Sequence, residues 1–276
     1  DTTTAEDAAT AALAFTVGDV ETAAADLTVT ATSSNTTLVP NANLVAGGAG
    51  AARTLTATPA FNQFGTTTIT VTVSDGTTTT STTYVLTVTA VNDTPTISAI
   101  ADTTTAEDTA TAALAFTVGD IETAAADLTV TATSSNTTLV PNASLVIGGA
   151  GAARTLTATP ALHQFGTTTI TVTVSDGTTT TSTTSVLTVT AVNDAPTISV
   201  IADTTTAEDT ATAALAFTVG DIETAAADLT VSATSSNTTL VPNASLVLAG
   251  AGANRTLTAT PALHQFGTST ITLTVS

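Results

Sequence analysis

Between residues 128 and 133, Leu128, Val130 and Ala132 alternate with Thr129, Thr131 and Thr133. A period of two puts one set of side chains on a buried face and the other in water, the mark of a half-buried β-strand. The alternation returns in residues 154–159 and, most cleanly, in 168–175 (TTITVTVS). Residues 111–118 (TAALAFTV) are apolar enough for a buried strand, with Phe116 as its largest core side chain. Residues 95–101 read as a first strand, 144–147 as a short one and 183–191 as the last. Asp176-Gly177 marks a tight turn, Gly148-Gly149 ends one strand and Pro160 stops another. Residues 102–109 and 119–126 read as acidic loops, the second with at most one helical turn because no 3.6-residue period is sustained. Residues 161–166 form a corner in which Phe165 is expected to plug the core. About seven strands with turns every 8–12 residues predict a two-sheet antiparallel sandwich.

The pattern recurs. Residues 1–7 (DTTTAED) return at 102–108 and again at 203–209, an offset of 101 residues, with near identity throughout. That period is too long for common solenoid units and suits an independently folding sandwich. Three units follow: residues 1–93 with the first strand missing, 94–194 complete, and 195–276 with the last strand missing. An unpaired sheet edge is a liability, so the missing strands are expected from a longer repeat chain or from a neighbouring subunit. No signal-peptide pattern and no initiating Met open the sequence, which suggests a processed product or a fragment.

Charge narrows the possible partners. Twenty-two acids face three basic residues, all arginine, for a formal net charge of −19. Nucleic acid and anionic membrane are disfavoured, because their phosphates would be repelled. No apolar run approaches the ~18–20 residues of a membrane span. The absence of cysteine removes disulfide and thiolate chemistry and fits an extracellular setting.

Sandwich geometry gathers the acids. The first, third and fifth connections of a seven-strand sandwich lie at one pole, and the second, fourth and sixth at the other. Glu6 and Asp7 then face the joint after the first unit, while Asp120, Glu122 and Asp176 face it from the second. Asn92 and Asp93 stand between them. The next joint repeats the set with Glu107, Asp108, Asn193, Asp194, Asp221 and Glu223. Two carboxylates at ~5 Å and an effective dielectric of about 20 repel by roughly 3 kcal/mol. Calcium suits such a set, since it takes six to eight hard oxygens in loose geometry. The alternative is that the loop acids splay into water. Pro95 and Pro196 stiffen the connecting segments.

Val192-Asn193-Asp194-Ala195-Pro196-Thr197, Glu107-Asp108-Thr109, Leu139-Val140-Pro141-Asn142, Arg154-Thr155-Leu156-Thr157 and Val174-Ser175-Asp176-Gly177 resemble the cadherin-like, immunoglobulin-like tandem repeats of giant bacterial surface and secreted adhesins. The resemblance spans the chain. It implies extracellular fibre or stalk modules, often calcium-rigidified at their joints. Ala90 and Ala191 replace the first Asp of the animal-cadherin D-x-N-D linker, and the corner at 160–166 carries no acid. One or two ions per joint are therefore expected rather than three.

Other chemistry is thin. His163 and His264 have Asn62 as their first-repeat counterpart, so they are expected on the corner-loop surface. Arg53, Arg154 and Arg255 are expected to pair with a carboxylate or carbonyl in their own units. The Gly-rich 47–50 and 148–151 lack the Lys-Ser/Thr of a phosphate loop and read as hairpin turns. No nucleophile–base pair recurs in all units, and an enzyme is not expected. The sequence therefore predicts an all-β rod of tandem seven-stranded Ig-like (cadherin-like) sandwiches, each adding roughly 35–45 Å. The expected function is an acidic extracellular stalk or filament whose partners are neighbouring repeats. The alternatives are a filament subunit completed by strand donation and a multivalent glycan- or partner-binding module.

Overall fold

The computed structural model describes residues 1–276. The second repeat contains eight strands: β1 (Thr96–Ile97), β2 (Thr103–Ala106), β3 (Leu114–Gly119), β4 (Thr129–Ser134), β5 (Leu145–Ala150), β6 (Ala153–Ala158), β7 (Gly166–Ser175) and β8 (Thr180–Thr190). They form two four-stranded sheets, ordered β5-β6-β3-β1 and β4-β7-β8-β2. All pairings are antiparallel except β2 with β8, where Thr104 lies opposite Thr188. Val172, Val174, Leu187 and Val189 of one sheet meet Phe116, Val118 and Leu156 of the other in a core of thirteen buried residues. The Val/Thr alternation builds this core directly: on β7 Ile170, Val172 and Val174 face inward and Thr169, Thr171 and Thr173 outward, while Thr168 is buried with the apolar set.

Two expectations change. The segment 102–109 is not all loop, because its threonines pair in parallel with β8 over Thr103–Ala106. The chain therefore leaves one sheet after Thr96–Ile97 and enters the other at Thr103. Phe165 does not plug the corner. It is 46% exposed, as Phe64 and Phe266 are exposed in their repeats. The corner is filled by Leu139 and Val140, which are essentially buried, and Leu139 accepts a hydrogen bond from the Ala161 amide at 2.8 Å.

The first and third repeats carry the same arrangement with fewer strands. In the first, Thr2–Ala5 pairs in parallel with Thr79–Thr89, and eight buried residues form the core. In the third, Ile271–Val275 pairs only with Val231–Ser235, and smaller groups of four and three residues are buried.

Each arginine fixes the acidic loop of its own unit through carbonyls. Arg154 donates from Nη2 to the Ala125 carbonyl at 3.0 Å and from Nε to the Gly151 carbonyl at 2.8 Å. Arg53 reaches Ala24 and Leu27, and Arg255 reaches Ala226 and Leu229. A charged donor on a carbonyl is worth about 1.5–3 kcal/mol. Arg154→Ala should therefore destabilise the second repeat by about that amount, read as a lower denaturant midpoint with an unchanged slope.

Candidate metal centre

At the first joint, four carboxylates each commit one oxygen to backbone. Glu6 lies at the end of the Thr2–Ala5 strand and is 5% exposed. Its Oε1 accepts from the Val91 amide at 2.6 Å, which ties the outgoing linker to the first repeat. Glu122 Oε2 accepts from the Asp93 amide at 2.8 Å and holds the same linker from the second repeat. Asp120 Oδ1 closes its own turn on the Glu122 and Thr123 amides. Asp7 Oδ1 accepts from the Asn62 amide at 2.8 Å.

The second oxygens are left over. Glu6 Oε2, Asp120 Oδ2 and Glu122 Oε1 are shut off from solvent and have no hydrogen-bond partner. Glu6, Asp93 and Glu122, from the first repeat, the linker and the second repeat, bring ligand atoms within 4.8 Å of one another. Asp93 feels this directly. Loss of solvation pushes its carboxyl pKa up, and the nearby charges of Glu122, Asp7 and Asp120 push it further. A buried polar atom without a partner is costly. A hard, multivalent cation would meet that deficit with oxygens alone, so the residues present fit calcium.

Asn92 and Asp176 do different work. Asp176 Oδ1 accepts the Thr178 and Thr179 amides, and Oδ2 accepts the Thr179 hydroxyl and the Asn92 side-chain amide at 2.8 Å. The Thr179 amide is the largest cause of a pKa well below the usual carboxylate range, with Asn92 adding to it against partial desolvation. Asn92 also donates to the Asp93 carbonyl at 2.7 Å. Asp176 therefore clamps the linker with oxygens that are already hydrogen-bonded. In the first repeat, Asp75 builds the same turn on Thr77 and Thr78, and its pKa is likewise depressed.

The second joint repeats the plan. Glu107 is 4% exposed, and its Oε1 accepts from the Val192 amide at 2.6 Å while Oε2 has no partner. Glu223 Oε2 accepts from the Asp194 amide at 2.9 Å and its Oε1 is left over. Asp221 closes its turn on Glu223 and Thr224, and Asn193 donates to the Asp194 carbonyl. Asp108 Oδ1 accepts from the His163 amide.

Two residues here were not expected at a joint. His163 is on the corner surface, with its side chain 39% exposed, but it also reaches the joint: its Nδ1 lies 3.1 Å from Asp194 Oδ2 and 3.5 Å from Asp108 Oδ2. Asn62, its counterpart, turns a buried and unpartnered Oδ1 inward at the first joint. Both sit at left-handed backbone, φ 54° and 55°, a region in which Asn and His are enriched. The signal was a constant spacing: each follows its carboxylate partner, Asp7 or Asp108, by 55 residues. His264 keeps the contact to Asp209 but is largely exposed.

Comparison with known proteins places the repeat. Residues 92–190 match the family model of the bacterial Ig domain. That span covers most of the second repeat and the two residues before it, and the other two repeats are nearly identical to it in sequence. No curated protein matches the chain. Among solved structures it is similar to the three-Ig titin fragment I67–I69, at 12% identity and TM-score 0.41, covering 96% of this chain and 86% of that one. It is also similar to cadherin domains 1–5 of protocadherin gamma B2, at 14% identity and TM-score 0.45, covering 94% of this chain and 51% of the protocadherin. An endo-fucoidan hydrolase of glycoside hydrolase family 107 aligns at 20% identity and TM-score 0.32, over 89% of this chain and 36% of the enzyme. No helix is long and apolar enough to cross a membrane.

The joint should carry two opposite pH signatures. The raised pKa of Asp93 gives stability that is present below the ordinary carboxyl pKa and lost as pH rises through the raised value. The depressed pKa of Asp176 gives stability that is present above the ordinary value and lost as pH falls through the lowered one. A carbon-13 titration in metal-free buffer should place Asp93 above the usual ~3.9 and Asp176 below it. Glu122→Gln should bring Asp93 back down, and an unshifted Asp93 would contradict the convergence of charge.

Proposed function

We propose that the chain is a structural segment of an extracellular bacterial stalk or filament, with modules at 1–93, 94–194 and 195–276 joined end to end. Calcium rigidifies each joint. At the first joint it is held by Glu6, Asp7, Asp93, Asp120 and Glu122, while Asn92 and Asp176 set the linker. At the second, Glu107, Asp108, Asp194, Asp221 and Glu223 take the same parts and Asn193 sets the linker. The ion supplies positive charge to oxygens that backbone donors leave over, and the protein supplies their spacing.

One observation carries this reading: the deeply buried Glu6 and Glu107 hold the linker with one oxygen and leave the other without a partner. A carboxylate kept inside for packing alone would not be chosen over an apolar side chain. The net charge of −19 suits a solvated surface that meets divalent cations. Near identity between units supports a mechanical role, because ligand specificity usually resides in loops that differ.

Calcium at a hundredfold excess over its Kd adds about 2.7 kcal/mol of stability. For a module of this size, that is a rise in melting temperature on the order of 10 °C. Calorimetry with and without chelator should show the rise, and small-angle scattering should show a longer, stiffer particle with calcium. Glu6→Gln keeps an acceptor for Val91 but removes a charge, so it should remove most of the response of the first joint. Identical melting and scattering in calcium and in chelator would contradict the reading.

A further inference from the structure

The two joints differ at the corner position, Asn62 against His163, and the difference changes the donor set. At the end of the second repeat, Glu107, Asp108, His163 and Asp194 meet, all belonging to that repeat and its own linker. One ligand atom from each of Glu107, Asp108 and His163 falls within a 4.8 Å group. His163 Nδ1 is closed off from solvent and makes no hydrogen bond, although Asp194 Oδ2 and Asp108 Oδ2 lie 3.1 and 3.5 Å away. The nitrogen therefore sits beside two carboxylate oxygens at ion-pair distance without a hydrogen bond to either. Glu107, 4% exposed, adds a buried oxygen with no partner.

We propose that this is a second kind of metal site, which takes a borderline dication of the zinc class through His163 Nδ1 and the carboxylates of Glu107, Asp108 and Asp194. Bonds of 2.0–2.2 Å in a tetrahedron place ligand atoms about 3.3–3.6 Å apart; the observed 3.5 Å falls in that range and the 3.1 Å just below it. Imidazole nitrogen suits zinc and is foreign to calcium, which takes oxygen. At the first joint, Asn62 presents a hard amide oxygen instead. Its amide meets Asp7 at 2.8 Å, as that of His163 meets Asp108 at 2.8 Å. One substitution between repeats thus adds a nitrogen ligand to the oxygens of the second joint. His264, 84% exposed at its side chain, has only Asp209 beside it.

The inference shares its carboxylates with the calcium reading of the joints, and calorimetric titration of the full, tag-free chain separates the two. Zinc chloride alone should bind one strong site per chain. Cobalt(II) there should give the intense visible absorption of four-coordinate cobalt, and the His163 imidazole resonances should shift on zinc addition. Loss of a supporting partner already costs about 10–100-fold in metal affinity, so His163→Asn should weaken zinc by at least that much and leave the calcium response of the first joint intact. Asn62→His should add a second zinc equivalent, and His264→Asn should change nothing. Zinc binding undiminished in His163→Asn, or no zinc binding in the unsubstituted chain, would show that His163 serves as an ion-pair partner and overturn the inference. Calcium binding without zinc binding would leave the stalk reading standing. Zinc binding without calcium binding would do the reverse.

Discussion

Each joint depends on a carboxylate with divided duties. Glu6 and Glu107 enter the protein interior from the end of a short parallel strand and spend one oxygen on the first amide of the linker. That bond decides where the linker leaves the sandwich. From the other side, Glu122 and Glu223 grip the same linker two residues later. The connecting segment is therefore held by charge from both neighbours before any side chain of the linker acts. Pro95 and Pro196, with no amide to donate and a narrow φ range, limit what the chain can do next.

This arrangement concentrates negative charge where the modules meet. Backbone amides satisfy one oxygen each of Glu6, Glu107, Asp120, Glu122 and Glu223, and the other remains without a donor. The nearest positive side chains are of no use to it. The three arginines are spent on carbonyls of the loops that bear Asp120, Glu122 and their copies. They shape the acidic surface without neutralising it. The first joint has only oxygen donors, whereas the second has an imidazole wedged between two carboxylates.

Much of this was legible in the sequence, for physical reasons. Alternation of Thr with apolar residues writes the core face into β4, β6 and β7 one residue at a time, and into the end of β8. Asp-Gly marks a turn that the backbone can make cheaply, whereas Gly148-Gly149, expected to end a strand, pair with Thr155 and Arg154 inside β5, and the turn falls at Gly151-Ala152. The parallel strand Thr103–Ala106 was not legible, because four small residues carry no period and their partner lies more than eighty positions away. Phe165 misled by size, since a large apolar residue is usually core, yet Leu139 and Val140 already fill that corner. His163 was set aside because repeat 1 lacks it. The structure keeps His163 on that corner, partly exposed, but turns its Nδ1 towards Asp194 and Asp108, and Asn62 brings an unpartnered amide oxygen to the equivalent place.

The most direct test is to locate the cation. Crystals of the chain grown with a lanthanide in place of calcium should give an anomalous peak at the first joint, bounded by Glu6 Oε2, Asp120 Oδ2, Glu122 Oε1 and the Asp93 carboxylate. A map with no peak there, in which those oxygens are bonded to water and the modules are set at different angles in different copies, would contradict the cation-held joint.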